Sequence, residues 1–449
     1  MENELFEKAP VHKAYFKFAL PVVFSMVISL VYNMVDTYFI AQTNNTNLIA
    51  GVSLGAPIFT LMISLGDIFG LGGSSVISRL FGQKRDDDGR RISVFCFYAS
   101  LILGIIVTAV MLLLRNPILN MLGADADTFT YASQYYTYIV IGAPFIILSF
   151  TPSNLLRTEG FATASMIGTV FGSVVNMILD PIFISVLEMG AAGAAIATVI
   201  GNICADIFFV FFLLYKSRRL SINIKLFGIS MNELKEIMAI GIPASITNLM
   251  QSFGIALTNL FLLSYGNDKI AAMGIVMKLN MIAVLILVGF SFGAQPLIGY
   301  NYGAKNFKRL KDTLRFSFIF ECSFALIVTI ILSVIAPHMV AVFLDNPQII
   351  TEGALMLRLQ LVSLLFTTII LITTCTFQAT EKAGGAFILS ISRQGIIFAL
   401  VITAASKIAG YNGILASQAI SDVFTALIAV ILLYKGLYSE ISESKLETI

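Results

Sequence analysis

Two carboxylates embedded in apolar runs, Asp36 and Asp180, carry the most chemistry in this chain. A charge held in hydrocarbon is costly, and such residues mark ion, proton or substrate paths. Helical spacing surrounds both with oxygen and amide groups. Asn176 lies one turn before Asp180, and Tyr32 and Asn33 lie one turn before Asp36. Thr198 stands in the next apolar run, with Asn202 one turn after it. Asp36, Asp180 and Thr198 are expected at comparable depth, in the outer halves of the first, fifth and sixth helices. Pro181 follows Asp180 directly, which predicts a kink and a freed backbone carbonyl. Asp36, Asn176, Asp180 and Thr198 thus form a candidate site for a proton or a small cation. Burial and a neighbouring carboxylate both favour a protonated acid, while hard oxygen ligands also suit Na+. The residues alone leave a proton and an alkali cation such as Na+ both open.

Other polar residues stand out by the same cost argument. Asp67, Asp206 and Lys278 fall within the second, sixth and eighth runs, and Glu321 in the inner third of the ninth. Arg157, Glu159 and Lys382 are expected in solvated turns. No GxxxxGK[ST] phosphate loop, HExxH pair or Cys/His cluster occurs, so the sequence carries no nucleotide-hydrolysing or zinc motif. Cys96, Cys204, Cys322 and Cys375 all fall in apolar runs and read as packing thiols. No cofactor is expected beyond a coupling ion.

The elements that must position these groups follow from composition. Of 449 residues, 57% are hydrophobic and 12% charged, against about 25% charged in soluble domains. Mean hydropathy is +0.89, and a net charge of +2 gives no reason to expect a nucleic-acid partner. Apolar runs at about 14–41, 50–80, 93–114, 132–156, 165–187, 191–215, 237–264, 270–301, 314–336, 358–379, 387–406 and 411–436 predict twelve transmembrane helices. Lys84, Arg85, Arg90, Arg91, then Lys216, Arg218, Arg219, Lys225, Lys235, then Lys305, Lys308, Arg309, Lys311 crowd the even-numbered connections. Basic short loops stay in the cytoplasm, so both termini are expected there. With no Trp, tyrosines must form the interfacial belt; Tyr15, Tyr135, Tyr215, Tyr265, Tyr302 and Tyr434 lie near run ends.

The two halves echo each other. FALPV around Pro21 answers IGIPA around Pro243, and ISRLFGQK ending at Lys84 answers IGYNYGAK ending at Lys305. GAAGAAIA around Gly193 answers AGYNGILA around Gly413, and FLLYK ending at Lys216 answers ILLYK ending at Lys435. Six helices per repeat is an even number, so both halves enter from the same side. An all-α membrane protein follows, with two six-helix lobes related by a pseudo-two-fold axis along the membrane normal. The expected division is residues 1–216, a linker at 217–236, and 237–449. At the repeat offset Asp36 answers Thr258 and Asp180 answers Val401, so the second lobe builds the same bundle without either acid.

These segments carry a resemblance. LVYNMVDTYFIA around Asp36, GLGGSSVISRLFGQK, LLRTEG around Arg157, VVNMILDPIFI around Asp180 and GAAGAAIATVIGN around Thr198 stand in an order and spacing similar to the multidrug and toxic compound extrusion (MATE) family over nearly the full chain. The pattern looks most like its MepA-type bacterial subgroup. The resemblance implies two lobes forming a V and export of bulky, often cationic, organic compounds in exchange for H+ or Na+. It also implies that a first-lobe cation site matches Asp36, Asn176, Asp180 and Thr198. Some relatives have a second-lobe acidic site on helices 7 and 10; here the helix 7 position is Gln251 and helix 10 lacks a carboxylate, which departs from that pattern.

The expectation is therefore a secondary antiporter of amphipathic drugs or toxic organic cations, acting as a monomer in the bacterial inner (plasma) membrane, and not an enzyme. Its substrate cleft is expected near Tyr32, Asn33, Asp67, Asn154, Asn202, Asp206 and Lys278. The competing expectation is a lipid-linked precursor flippase of related two-lobe design. Few intramembrane cations, essentially Lys278 and Arg393, weigh against anionic headgroups.

Overall fold

The computed structural model describes residues 2–343 and 347–441, and its regular structure there is entirely helical. Helices satisfy their own backbone groups, which a hydrocarbon environment requires. The passes are α1 (Val11–Gln42), α2 (Thr46–Gly82), α3 (Asp86–Leu113) and a bent α4 (Phe129–Ile141 with Ala143–Thr158, 50° apart). They continue with α5 (Ala162–Val186), α6 (Gly190–Tyr215), α7 (Met231–Tyr265), α8 (Asp268–Gly303), α9 (Phe307–Ala341) and α10 (Ile349–Ala379). The last helical stretch, Ala383–Ile441, runs for 59 residues. At 1.5 Å per residue that is nearly 90 Å, about three times the hydrocarbon thickness. It reverses at Gly410, whose φ of 54° and ψ of −129° are non-helical. A Cβ on Gly413 would strike the Ala405 carbonyl oxygen at 1.9 Å. Further out, the Ser421 hydroxyl donates to the Arg393 carbonyl and Lys382 pairs with Glu440. These contacts define an antiparallel hairpin, α11 (383–409) and α12 (411–441), and bring the passes to twelve. Residues 442–449, assigned by sequence to the second lobe, lie outside the described residues.

Helix ends overrun several of the apolar runs. α9 begins at Phe307 rather than near 314, and α10 at Ile349 rather than near 358. Hydropathy registers only the hydrocarbon-embedded part, whereas a helix continues through the headgroup region.

The duplication is visible in the backbone. Left-handed residues recur as Asn44 and Gly266, Lys84 and Lys305, Gly160 and Glu381, Gly190 and Gly410, each pair at the repeat spacing. The Thr108 hydroxyl donates to the Val140 carbonyl at 2.7 Å, and Thr329 repeats the bond to Leu361 at 2.9 Å.

The lobes meet toward the end that carries the basic loops, called the basic face below. α1 lies on α8, where a Cβ on Gly293 would meet Ala19 Cα at 2.4 Å. α2 lies on α7, where a Cβ on Gly241 would meet the Ile68 carbonyl oxygen at 2.1 Å. The Asn248 amide donates to Asp67 at 3.0 Å across the lobes. Beyond that level α1 and α7 leave Met34 and Leu260 about three-fifths exposed, at 57% and 61%.

Four local expectations are corrected. Tyr15 and Tyr135 are buried rather than interfacial, because each finds a polar neighbour inside the protein; Tyr215, Tyr265 and Tyr434 are exposed as a belt requires. Glu159 is fully buried, accepting from the Ser217 hydroxyl at 2.5 Å and the Arg218 and Arg219 amides at 2.7 and 3.0 Å. It ties the start of the inter-lobe linker to the α4–α5 turn. Arg157 is buried too, donating to Asn154 at 2.5 Å. The segment before α1, not assigned structure from sequence, forms a short helix, Glu2–Glu7, against both lobes.

Candidate functional site

The acid pair is assembled by three helices whose close crossing depends on glycine. A Cβ on Gly201 of α6 would meet the Gly172 carbonyl oxygen of α5 at 2.7 Å and Asn176 Cβ at 3.0 Å. With no side chain at either glycine, the two backbones touch, and the Asn176 amide reaches the Thr198 hydroxyl at 3.4 Å. α5 leaves α-geometry directly after Asp180: the helix ends at Pro181 and continues as a π-turn, Ile182–Val186. The proline ring cannot follow a regular turn, and single π-turns recur at functional sites. The expected kink is therefore a local change of helix type.

Asp180 is wholly buried, and Asn176 and Thr198 nearly so; Asp36 and Tyr32 on α1 are half-buried. Asp36 and Asp180 stand close enough to repel when both are charged. Tyr32 sits beside Thr198 and near both acids. Among the described residues, Asp36 Oδ1, Asn176 Oδ1 and both Asp180 oxygens are buried with no hydrogen-bond partner. Buried polar atoms are ordinarily paired. A cluster of unpaired oxygens, without a resident Lys or Arg, is what a proton or an oxygen-liganded cation requires. The sequence reading missed Tyr135 of α4, which is 8% exposed and neighbours Asp36, Tyr32 and Asp180. Its place at a run end gave the appearance of a belt residue.

The other predicted residues separate by location. Asn33 is exposed on α1, its amide bonded to the Ser29 carbonyl at 2.7 Å. Asn202 is half-buried on α6, donating to the Thr198 carbonyl at 2.8 Å. Asp67, Asn154 and Arg157 form a polar group at mid-depth with Asn248 of the second lobe. Lys278 is exposed on α8. Asp206 faces α4, where the Ser149 hydroxyl donates to it at 2.7 Å, rather than the cleft. Glu321 is buried between lobes, accepting from Tyr15 at 2.8 Å and Ser291 at 2.6 Å.

The second lobe holds a further polar group. Asp422 on α12 is fully buried and accepts from Arg393 at 3.2 Å, Gln418 at 3.1 Å and Thr367 at 3.1 Å. Asp422 escaped the sequence reading, although the repeat spacing aligns it with Asn202 and Gln418 with Thr198.

The MatE family model matches the chain twice, at residues 21–182 and 243–405, once per repeat. The chain belongs to the MatE family. It is a transport protein and not an enzyme. The multidrug export protein MepA of Staphylococcus aureus (strain MRSA252) is 34% identical over 429 residues, covering 96% of this chain and 95% of that one. MepA of Staphylococcus haemolyticus (strain JCSC1435) is 34% identical over 431 residues, covering 96% and 94%. Among solved structures, MATE in complex with MaL6 matches with a TM-score of 0.92 at 24% identity, covering 99% of both chains. The outward-facing conformation of a multidrug resistance MATE family transporter of the MOP superfamily also gives 0.92 at 24% identity, covering 99% and 98%. The fold is thus two-lobed, as the duplicated sequence implies, and V-shaped, as the family resemblance implies.

Proposed function

We propose that this MatE protein is a secondary antiporter that exports amphipathic, often cationic, organic compounds in exchange for H+ or Na+ at the Asp36–Asn176–Asp180–Thr198 cluster. The observation that carries the reading is the set of unpaired buried oxygens on two neighbouring acids. The similarity to MepA proteins, named as multidrug exporters, supports the substrate class. Substrate would enter between the parted outer halves of the lobes, near Tyr32, Asn33, Asn202 and Lys278, with Asp67 and Asn154 at the floor. A lipophilic cation finds its counter-charge in the acids that bind the coupling ion, so the two compete. The ion drives transport only through its different affinity for the two lobe arrangements. The basic face would be cytoplasmic and the membrane a bacterial plasma membrane.

The test is efflux of a fluorescent lipophilic cation from proteoliposomes under an imposed pH gradient and, separately, an imposed Na+ gradient. Wild type should export under one of them, and Asp36→Asn should abolish it. No efflux under either gradient from well-inserted protein would remove the reading for this substrate class. A lipid-linked precursor would then be the next substrate to try.

A further inference from the structure

Asp206 is 5% exposed on α6. One carboxylate oxygen, Oδ1, accepts from the Ser149 hydroxyl at 2.7 Å; the other, Oδ2, is buried without a partner. Among the described residues no cation pairs with it. The one basic residue of α4, Arg157, is turned to Asn154 and Asp67, and the one titratable group of α5 is Asp180 itself. Cys204 and Asp206 are the titratable groups in this part of α6. A bare carboxylate with a single hydrogen bond is an expensive occupant of such a place.

Position separates Asp206 from the acid pair. Thr198, Asn202 and Asp206 succeed one another at four-residue steps on one face of α6. Eight residues correspond to about 12 Å along the axis. Asp206 stands nine residues from Tyr215 at the basic end of α6 and sixteen from Gly190 at the other end. The polar contacts between are continuous: Ser149 touches the Asn202 carbonyl at 3.4 Å, Asn202 bonds the Thr198 carbonyl, and Asn176 bonds the Thr198 hydroxyl. Backbone carbonyls do not relay a proton, so these contacts form no proton wire between the two sites. The repeat shows that the helix does not require an acid here. The spacing that pairs Asn202 with Asp422 aligns Asp206 with Ala426, which has no polar side chain.

We propose that Asp206 is a second proton-binding carboxyl of the first lobe, distinct from the Asp36–Asp180 pair and loaded and emptied from the basic face. Loading moves one proton from hydronium to Oδ2. An O–H bond forms on the carboxyl, one breaks on hydronium, water leaves, and the side chain goes from −1 to neutral. In the arrangement described here the proton is occluded, and opening of the basic face releases it. Two protons, held at different depths, would then accompany each cycle. This inference rests on the proton form of the antiport reading above.

The experiment combines infrared spectroscopy with proton counting on the full-length protein. In nanodiscs, wild type should show a protonated-carboxyl C=O band that is lost in Asp206→Asn and retained in Asp36→Asn. Ser149→Ala, which keeps the acid but removes its hydrogen bond, should shift that band. In proteoliposomes, Asp206→Asn should exchange one proton fewer per substrate than wild type. An unchanged band in Asp206→Asn, or an unchanged proton count, overturns the inference and leaves antiport through Asp36 intact. If wild type exchanges no protons, the proton-antiport reading fails in that arm and the proposed coupling role of Asp206 with it, whereas the infrared arm alone reports its protonation.

Discussion

Asp180 and Asp422 are both fully buried acids in helices, yet their surroundings make opposite demands. Asp180 has two unpaired oxygens, so it is a standing cost to the fold. Asp180→Asn removes a buried ionisable group at constant shape. Thermal unfolding should occur at the wild-type temperature or above it, while gradient-driven efflux falls about tenfold or more, following the usual exchange of stability for activity. A clear loss of thermal stability, with efflux retained, would make Asp180 a structural residue. Asp422 is satisfied by Arg393, Gln418 and Thr367. Removing one partner of a buried ion pair costs about 3–5 kcal/mol, so Asp422→Ala should sharply lower the unfolding temperature. Asp422→Leu combined with Arg393→Met should recover most of the loss; a double variant as unstable as the single one would show that the pair is not the source. The difference in legibility is physical. Asp36 and Asp180 announce themselves because Asn and Thr stand a turn away in the same or the next run. Arg393 and Asp422 belong to separate runs and meet only when α11 and α12 fold together. Tyr135 is recognisable beside the acids only once α4 is placed against α1 and α5.

At the scale of elements, runs of apolar residues were enough to count passes, because hydrocarbon admits little else. What hydropathy does not register is a short amphipathic segment. The helix Glu2–Glu7 places Phe6 against Tyr300 and Phe18, with ring centroids 4.6 and 4.9 Å apart. The Phe6 carbonyl accepts from Arg309 at 2.5 Å, and Glu7 joins Lys84 of the first lobe to Tyr300 of the second. This strap bridges both lobes at the basic face. Hydrogen bonds from Lys84 and then Tyr300 hold the Glu7 carboxyl below its ordinary range, and the Glu7 bond pushes Lys84 above its own. A lowered acid contributes its stability above the unfolded value, about 4.3 for Glu, and loses it as pH falls through the folded one. Lys84 contributes below its ordinary value and loses that only as pH rises through the raised one. The strap should therefore stay docked at neutral pH and loosen below about pH 4. Both side chains are partly exposed, so salt should weaken the ion pair too. The protection factors of amides in residues 2–8, taken relative to the intrinsic exchange rate at each pH, should fall on acidification in wild type, and should already be low at neutral pH in Glu7→Gln. Equal exchange in both at neutral pH would assign the docking to Phe6 alone.

For the whole molecule, the question is what holds the basic face shut while the other ends part. Arg79, near the basic end of α2, has a side chain only 2% exposed. Its guanidinium donates to Ser75 at 3.1 Å within its own lobe and pairs with Glu236 at 3.0 Å and Glu381 at 2.8 Å from the start of α7 and the α10–α11 turn. Opening the basic face must pull this cation from both acids. The acids are about half exposed, at 47% and 49%, so water partly compensates them and the cation bears most of the loss. Neutralising the acids should therefore shift the balance further than neutralising Arg79. Glu236→Gln with Glu381→Gln leaves a buried guanidinium unpaired, whereas Arg79→Gln removes the buried charge and frees two acids to hydrate. Each 1.4 kcal/mol taken from the closed face changes the ratio of the two arrangements about tenfold. Electron–electron distances between spin labels at Arg218 and Lys308 on the basic face, and at Asn120 and Ile408 on the other, should report the shift. The double glutamine variant should show the longest basic-face distances, Arg79→Gln intermediate ones, and wild type the shortest. The reverse order, or no change in either variant, would move the latch to the close backbone contacts that flank the ion pairs. There a Cβ on Gly82 would meet the Tyr300 carbonyl at 2.1 Å, and one on Gly303 the Arg79 carbonyl at 2.2 Å. In that case Gly303→Ala, by wedging α2 and α8 apart, is the substitution that should open the face.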